Sequence, residues 1–186
     1  MKNKQYEELK EEYVEHITSM MQDLGEIQPH ITIFAEQLHP KEGEEDKPAI
    51  IHMFIPNEFM DSDDGKQKFI DEMLPEVAAE VKKDFIPKAI GWASEAWMRT
   101  IDKGSDFDID KDDYKNLPIK NEVIIITIES EDEQDAIIYK IKRDGTQVNK
   151  YGDLTDNIKL EILEGSNNSL KGMSGKFSGL FKNFKS

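Results

Sequence analysis

Two largely apolar runs, Val123 to Glu129 and Ala136 to Arg143, are joined by the wholly polar connector Ser130-Glu131-Asp132-Glu133-Gln134 and Asp135. A link that short cannot carry the crossover that parallel strands need, so the runs pair as an antiparallel hairpin. A similar pair precedes it. His30 to Gln37 and Ala49 to Ile55 flank a charged segment from Pro40 to Pro48 that is punctuated by Pro and Gly, which reads as a hairpin with a wide loop. Ala89 to Ile101 is a further strand, and Ile158 to Leu163, with Ile158, Leu160 and Ile162 in alternation, reads as an edge strand.

Helical periodicity occurs twice. Tyr6, Leu9, Tyr13, Ile17, Met20, Met21 and Leu24 recur at three- and four-residue steps with glutamates on the other face, and Gly25 stands where a left-handed residue would end the helix. Phe69, Ile70, Met73, Leu74, Val77, Ala78, Val81 and Phe85 form a second stripe, starting near Asp63-Asp64, in which Pro75 predicts a kink or a split. This order predicts an α+β fold: a mainly antiparallel sheet of about five strands with two amphipathic helices packed on one face. Residues 1–164 form a single acidic domain in this reading. Gly165-Ser166-Asn167-Asn168-Ser169 then opens a flexible linker and a basic aromatic tail over 165–186.

Cysteine is absent, which removes disulfides, thiolate zinc sites and cysteine nucleophiles, and fits a cytoplasmic protein. With no apolar run of about 18 residues and a charged start, a transmembrane segment or signal peptide is not expected. The net charge is −15, yet Leu170 to Ser186 holds four lysines and no acid. The body therefore repels nucleic acid and the tail does not.

Chemistry-bearing patterns are few. Asp102, Asp106, Asp108, Asp110, Asp112 and Asp113 crowd one loop, and three of them match the first, third and fifth ligand positions of a calcium-binding loop. Lys111 replaces the required glycine and Leu117 the closing glutamate, so the loop reads as solvated. His16, His30, His39 and His52 make no metal-ligand spacing, though His30 and His52 lie on the two strands of one hairpin. Neither a metal nor a cofactor is expected. Glycine-rich phosphate loops, nucleophile elbows and triads are missing from the sequence, so no catalytic residue is assigned. On the third strand Glu95, Trp97 and Arg99 share a face, which predicts an ion pair of Glu95 with Arg99 across the Trp97 ring, or else a general base at Glu95.

In the tail, Phe177, Leu180, Phe181 and Phe184 fall at helical spacing with Lys176, Lys182 and Lys185 around them, while Gly172, Gly175 and Gly179 oppose autonomous helix formation. Such a segment suits docking into an apolar groove of a partner, with the protein's own body and an anionic membrane surface as the rival sites. An exposed sheet edge or the tail also offers a route to a homo-oligomer.

The stretch Ser94-Glu95-Ala96-Trp97, the Glu122-Val123 strand start and the Ile141-Lys142-Arg143 strand end together resemble a group of uncharacterised phage and bacterial proteins, over residues 89–143. In the loop before the second strand that group tends to carry Pro and Arg, where this chain has Pro118 and Lys120-Asn121. The resemblance implies a phage-encoded protein working in host cytoplasm and names no activity. The expected function is that of a non-enzymatic binding or accessory protein whose tail docks on a partner and can be deleted without unfolding the body. The alternatives are an acidic decoy that mimics nucleic acid and an enzyme using Glu95.

Overall fold

The structure, a computed structural model, describes residues 3–40, 48–99, 106, 117–163 and 179–184. Helix α1 (Asn3–Leu24) leads into strands β1 (His30–Gln37) and β2 (Ala49–Phe54). Short helices α2 (Asn57–Met60) and α3 (Asp63–Lys68), a π-helical turn (Phe69–Met73) and α4 (Leu74–Asp84) follow. Strands β3 (Phe85–Arg99), β4 (Ile119–Ser130), β5 (Gln134–Val148) and β6 (Leu154–Ile162) come next, then a 3-10 turn (Leu180–Phe184). All six strands form one antiparallel sheet in the order β2-β1-β3-β4-β5-β6. The fold is α+β as expected, with the edge segment near Ile158 completing a sixth strand.

The helices do not share a face. Tyr6, Tyr13, Ile17 and Met21 of α1 pack on Phe34, Ala93, Ile124, Ile126 and Ile128, whereas Phe69, Leu74, Ala78 and Val81 pack on Ile31, Ile33, Ile90 and Trp92. Successive strand residues point to opposite sides, so Ile33 and Phe34 belong to different cores. The near-continuous apolar runs Ile31 to Ala35 and Val123 to Ile128 are those of strands covered on both sides, which is why a one-sided arrangement fails.

Local chemistry sets the boundaries. Gly25, at φ 80°, donates to Met21 O at 2.9 Å and ends α1 as expected. Gly91 lets α1 approach β3, since a Cβ there would run into the Tyr13 ring. Pro75 lies in the first turn of α4, where its missing N–H costs little. The expected break is realised as the π turn, whose i to i+5 bond joins Leu74 N to Phe69 O. Strand β3 starts at Phe85, which sequence periodicity assigned to the helix. Pro87 disfavours helical geometry at Ile86, and it sits opposite Ala35 beside the bulge that the extra residue Lys88 makes in β3, so its lack of a donor is absorbed.

Candidate functional site

Residues with reactive or charged side chains gather in three places. The first is a hub around Arg143 on β5. Its guanidinium meets Glu122 of β4 through Nε (3.1 and 3.2 Å) and Nη2 (2.5 Å), Asp156 of β6 at 2.8 Å, Glu95 of β3 at 3.3 Å, and the carbonyl of Gly25 at 2.8 Å. One cation thus ties three carboxylates to the C-terminal end of α1, where the helix dipole favours positive charge. Glu122, then the other acids, hold the guanidinium above its already high range. Glu95 is pushed up by burial, and the Ile27 N–H (2.6 Å to Oε1) and Arg143 oppose that rise. Both oxygens of Glu95 are therefore engaged.

The partner expected for Glu95 was Arg99; the structure supplies Arg143 instead. Arg99 donates through Nη1 to the Leu117 carbonyl, joining the end of β3 to the approach to β4, and Trp97 is exposed with no guanidinium pair to cover. Arg143 lies two strands from Glu95, and a register shift between Arg143 and Thr146 helps to place it. Its sequence signal was its position at the end of the apolar run Ala136 to Arg143.

The second cluster is histidine-rich. His52 on β2 stacks 5.5 Å from His16 of α1 and 6.4 Å from His30 of β1, measured between ring centroids. The anticipated approach of His30 to His52 is thus present, and α1 adds a third ring that hairpin reasoning missed. Thr32 Oγ1 and His52 Nδ1 are 2.9 Å apart. His30 Nδ1 lies 2.9 Å from the Gln28 carbonyl, which only accepts, so the neutral ring carries its proton on Nδ1. Its Nε2 is buried without a hydrogen-bond partner. Burial lowers the pKa of both His30 and His52, and the neighbouring histidines lower them further. Among the described residues no group of His, Cys, Asp or Glu has the arrangement to hold a metal ion.

The third place is the C-terminal segment. Leu180, Phe181 and Phe184 are buried in the core that includes Ala78, Val81, Ile90 and Trp92, between α4, β3 and β4. The buried carboxylate of Glu129 accepts from Gly179 N (2.7 Å), Phe181 N (3.2 Å) and Gln134 Nε2 (2.7 Å), and Lys82 Nζ reaches Asn183 O at 3.4 Å. Three of the four apolar tail residues expected to meet a partner therefore lie on the protein's own body. Lys182 points to solvent, and Lys176 and Phe177 fall outside the described residues. Glu129 gave no sequence signal beyond an acid at a strand end. Of the aspartate loop, only Asp106 is described, and it is exposed.

An open groove of about 350 Å³ runs between α1 and β5, lined by Lys10, Glu11, Val14, Thr18, Ile137 and Tyr139 among others. Its Thr18 hydroxyl donates to the carbonyls of Val14 and Glu15, its Lys10 is paired with Glu7 and Asp135, and it does not reach Glu95. The most exposed apolar groups lie elsewhere, at the β5–β6 turn, where Val148 stands across from Leu154 beside Tyr151. No helix is long and apolar enough to cross a membrane among the described residues. Comparison with protein-family models, with curated proteins and with solved structures finds no match to the chain.

Proposed function

We propose that this chain is a non-enzymatic binding protein that meets a partner protein through the tip of the β5–β6 hairpin. One observation carries the reading: Leu154, Val148 and Tyr151, exposed by 75%, 68% and 67%, are the three most exposed large apolar residues described, and they share one turn. Burying each would contribute about 1.5–3 kcal/mol, and an aromatic ring amid aliphatic neighbours is a common anchor. The tip is also braced. Lys150 Nζ lies 2.5 Å from Asp23 Oδ2, Gln147 Nε2 donates to Gln22 O at 2.8 Å, and Asn149 Oδ1 accepts from Tyr151 N and Asp153 N, each at 2.9 Å. A braced surface loses less entropy on docking. The net charge of −15 favours a partner with a basic rim.

A second reading keeps the C-terminal segment as the docking peptide. It is favoured by the way Leu180, Phe181 and Phe184 enter an apolar groove while Glu129 holds their main chain, since an apolar groove of this kind is how helical peptides are bound. A partner would then compete with the body's own groove. The two readings separate by affinity capture from a lysate of the source cells, using the full chain and a Val148→Ser, Tyr151→Ser, Leu154→Ser variant at two salt concentrations. The tip predicts one captured protein that the triple variant loses at both salts. Capture that survives in the variant sinks the tip reading; if it then fades only as salt rises, an acidic decoy surface takes its place.

A further inference from the structure

The two outer strands of the sheet are guarded very differently. Strand β6 carries Asp156, Lys159 and Glu161, paired with Arg143, Asp144 and Lys142. The segment from Pro48 to Pro56, which contains β2, has no Asp, Glu, Lys or Arg, in a chain that is 34% charged. Edge strands normally carry charge because their unpaired main-chain groups invite another strand. An uncharged edge lacks that protection.

The hydrogen-bond parity of β2 shows what its edge offers. Ile55 N donates to Pro29 O at 2.8 Å, and the register sets Phe54 across from His30. Alternation then turns the main-chain groups of Met53 and Ile51 toward β1, and those of Ile50, His52 and Phe54 outward. The same three residues expose their side chains, Ile50 by 50% and Phe54 by 58%. This outward row is nearly its own mirror image about His52. Ile50 and Phe54 lie two residues to either side, Ile51 and Met53 one residue, and the flanking Pro48 and Pro56 four residues.

We infer that β2 is the interface of a homodimer, in which two copies join edge to edge and antiparallel about a two-fold axis beside His52. His52 exchanges both main-chain hydrogen bonds with the partner's His52, and Ile50 lies across from the partner's Phe54. The prolines limit the pairing to this stretch, because they supply no donor. The mirror symmetry of the segment is what selects a second copy over a foreign strand, since a two-fold interface must be self-complementary. Two bodies of charge −15 repel, so the dimer is weak, and salt strengthens it.

The absence of cysteine makes the register testable in the full chain. In the proposed pairing a residue at position 52 faces its own copy at about 5.5 Å between Cα atoms, within disulfide reach, whereas position 50 lies about 14 Å from its copy. Under mild oxidation His52→Cys should cross-link at least about tenfold faster than Ile50→Cys. Sedimentation velocity of the native chain should show a concentration-dependent dimer that Ile50→Lys abolishes while circular dichroism and melting stay native. Equal cross-linking at the two positions, a chain that stays monomeric at several hundred micromolar in high salt, or a dimer that survives Ile50→Lys would each overturn the proposal.

Discussion

The two faces of the sheet are covered by different means. One face is covered by a single continuous helix, α1, whose Tyr6, Tyr13, Ile17 and Met21 follow one another along 16 residues of sequence. The other is assembled from pieces: the α3 to α4 segment, joined through a π turn, and a C-terminal turn that arrives from nearly 100 residues later in the chain. A helix folds and docks as one unit with little loop entropy to overcome, whereas the last piece of the composite face must be recruited across a long span. The continuous face is pinned by the Arg143 hub and the composite face by Glu129. The composite face therefore depends more on each of its parts.

The largest effect should come from taking the C-terminal piece away. Leu180, Phe181 and Phe184 each bury an entire side chain, and an aromatic truncation at such a site costs about 3–5 kcal/mol. Phe181→Ala with Phe184→Ala then approaches the whole stability of an ordinary domain, about 5–15 kcal/mol. A chain ending at residue 164 should show a collapsed melting transition and bind a dye specific for exposed apolar surface. This replaces the expectation that the tail can be deleted without harm. A truncated chain that melts as the full one does would break the contrast between the faces, by showing that the α3 to α4 segment closes its side alone.

Much of this contrast was legible in the sequence, and the parts that were not share a cause. The α1 stripe, its stop at Gly25, the split at Pro75 and the hairpins follow from contacts within a few residues, which periodicity and turn chemistry report directly. Two-sided burial was also written in Ile31 to Ala35 and Val123 to Ile128, but the hairpin pattern pointed to a one-sided sheet. Glu95 was singled out for the right reason, a carboxylate among apolar neighbours in need of a partner. Its partner Arg143 depends on β4 lying between β3 and β5 and on a bulge, and neither leaves a mark near Glu95. Glu129 and His16 are harder still, because their partners lie 50 and 36 residues away in sequence and meet them only through tertiary packing.

A smaller effect is expected from unpinning the continuous face. Arg143→Met leaves Glu95, Glu122 and Asp156 facing one another without their cation and takes a donor from the Gly25 carbonyl. For a fully buried network the cost would be about 3–5 kcal/mol; solvent reaches a third of this side chain, which reduces the expectation to about 2 kcal/mol. Urea unfolding at neutral pH measures it. A loss above that of the double phenylalanine variant would reverse the ranking of the faces.

The smallest effect concerns the one corner of the α1 face that is left unfinished, where His16, His30 and His52 meet. Burial holds the folded pKa of His30 and His52 below the ordinary 6.5, with no carboxylate among the causes to offset it. The unfolded chain then binds more protons than the folded one below that value, so stability must rise with pH there. The contribution is fully present above pH 6.5 and drains away as the pH falls from 6.5 toward the lowered folded values. Glu95 acts in the opposite sense from its own ordinary value of 4.5 upward, because burial raises its folded pKa and makes the folded chain the better proton binder. Melting temperatures from pH 8 to 5 should therefore fall toward acid in the native chain, and fall less in His30→Leu, which removes the buried ring nitrogen that has no partner. In Glu95→Gln, which keeps an acceptor for the Ile27 N–H but loses the opposing titration, the fall should steepen. Identical slopes in all three chains would mean that the histidine corner opens to water before it is protonated, and that the α1 face is less continuous than its helix.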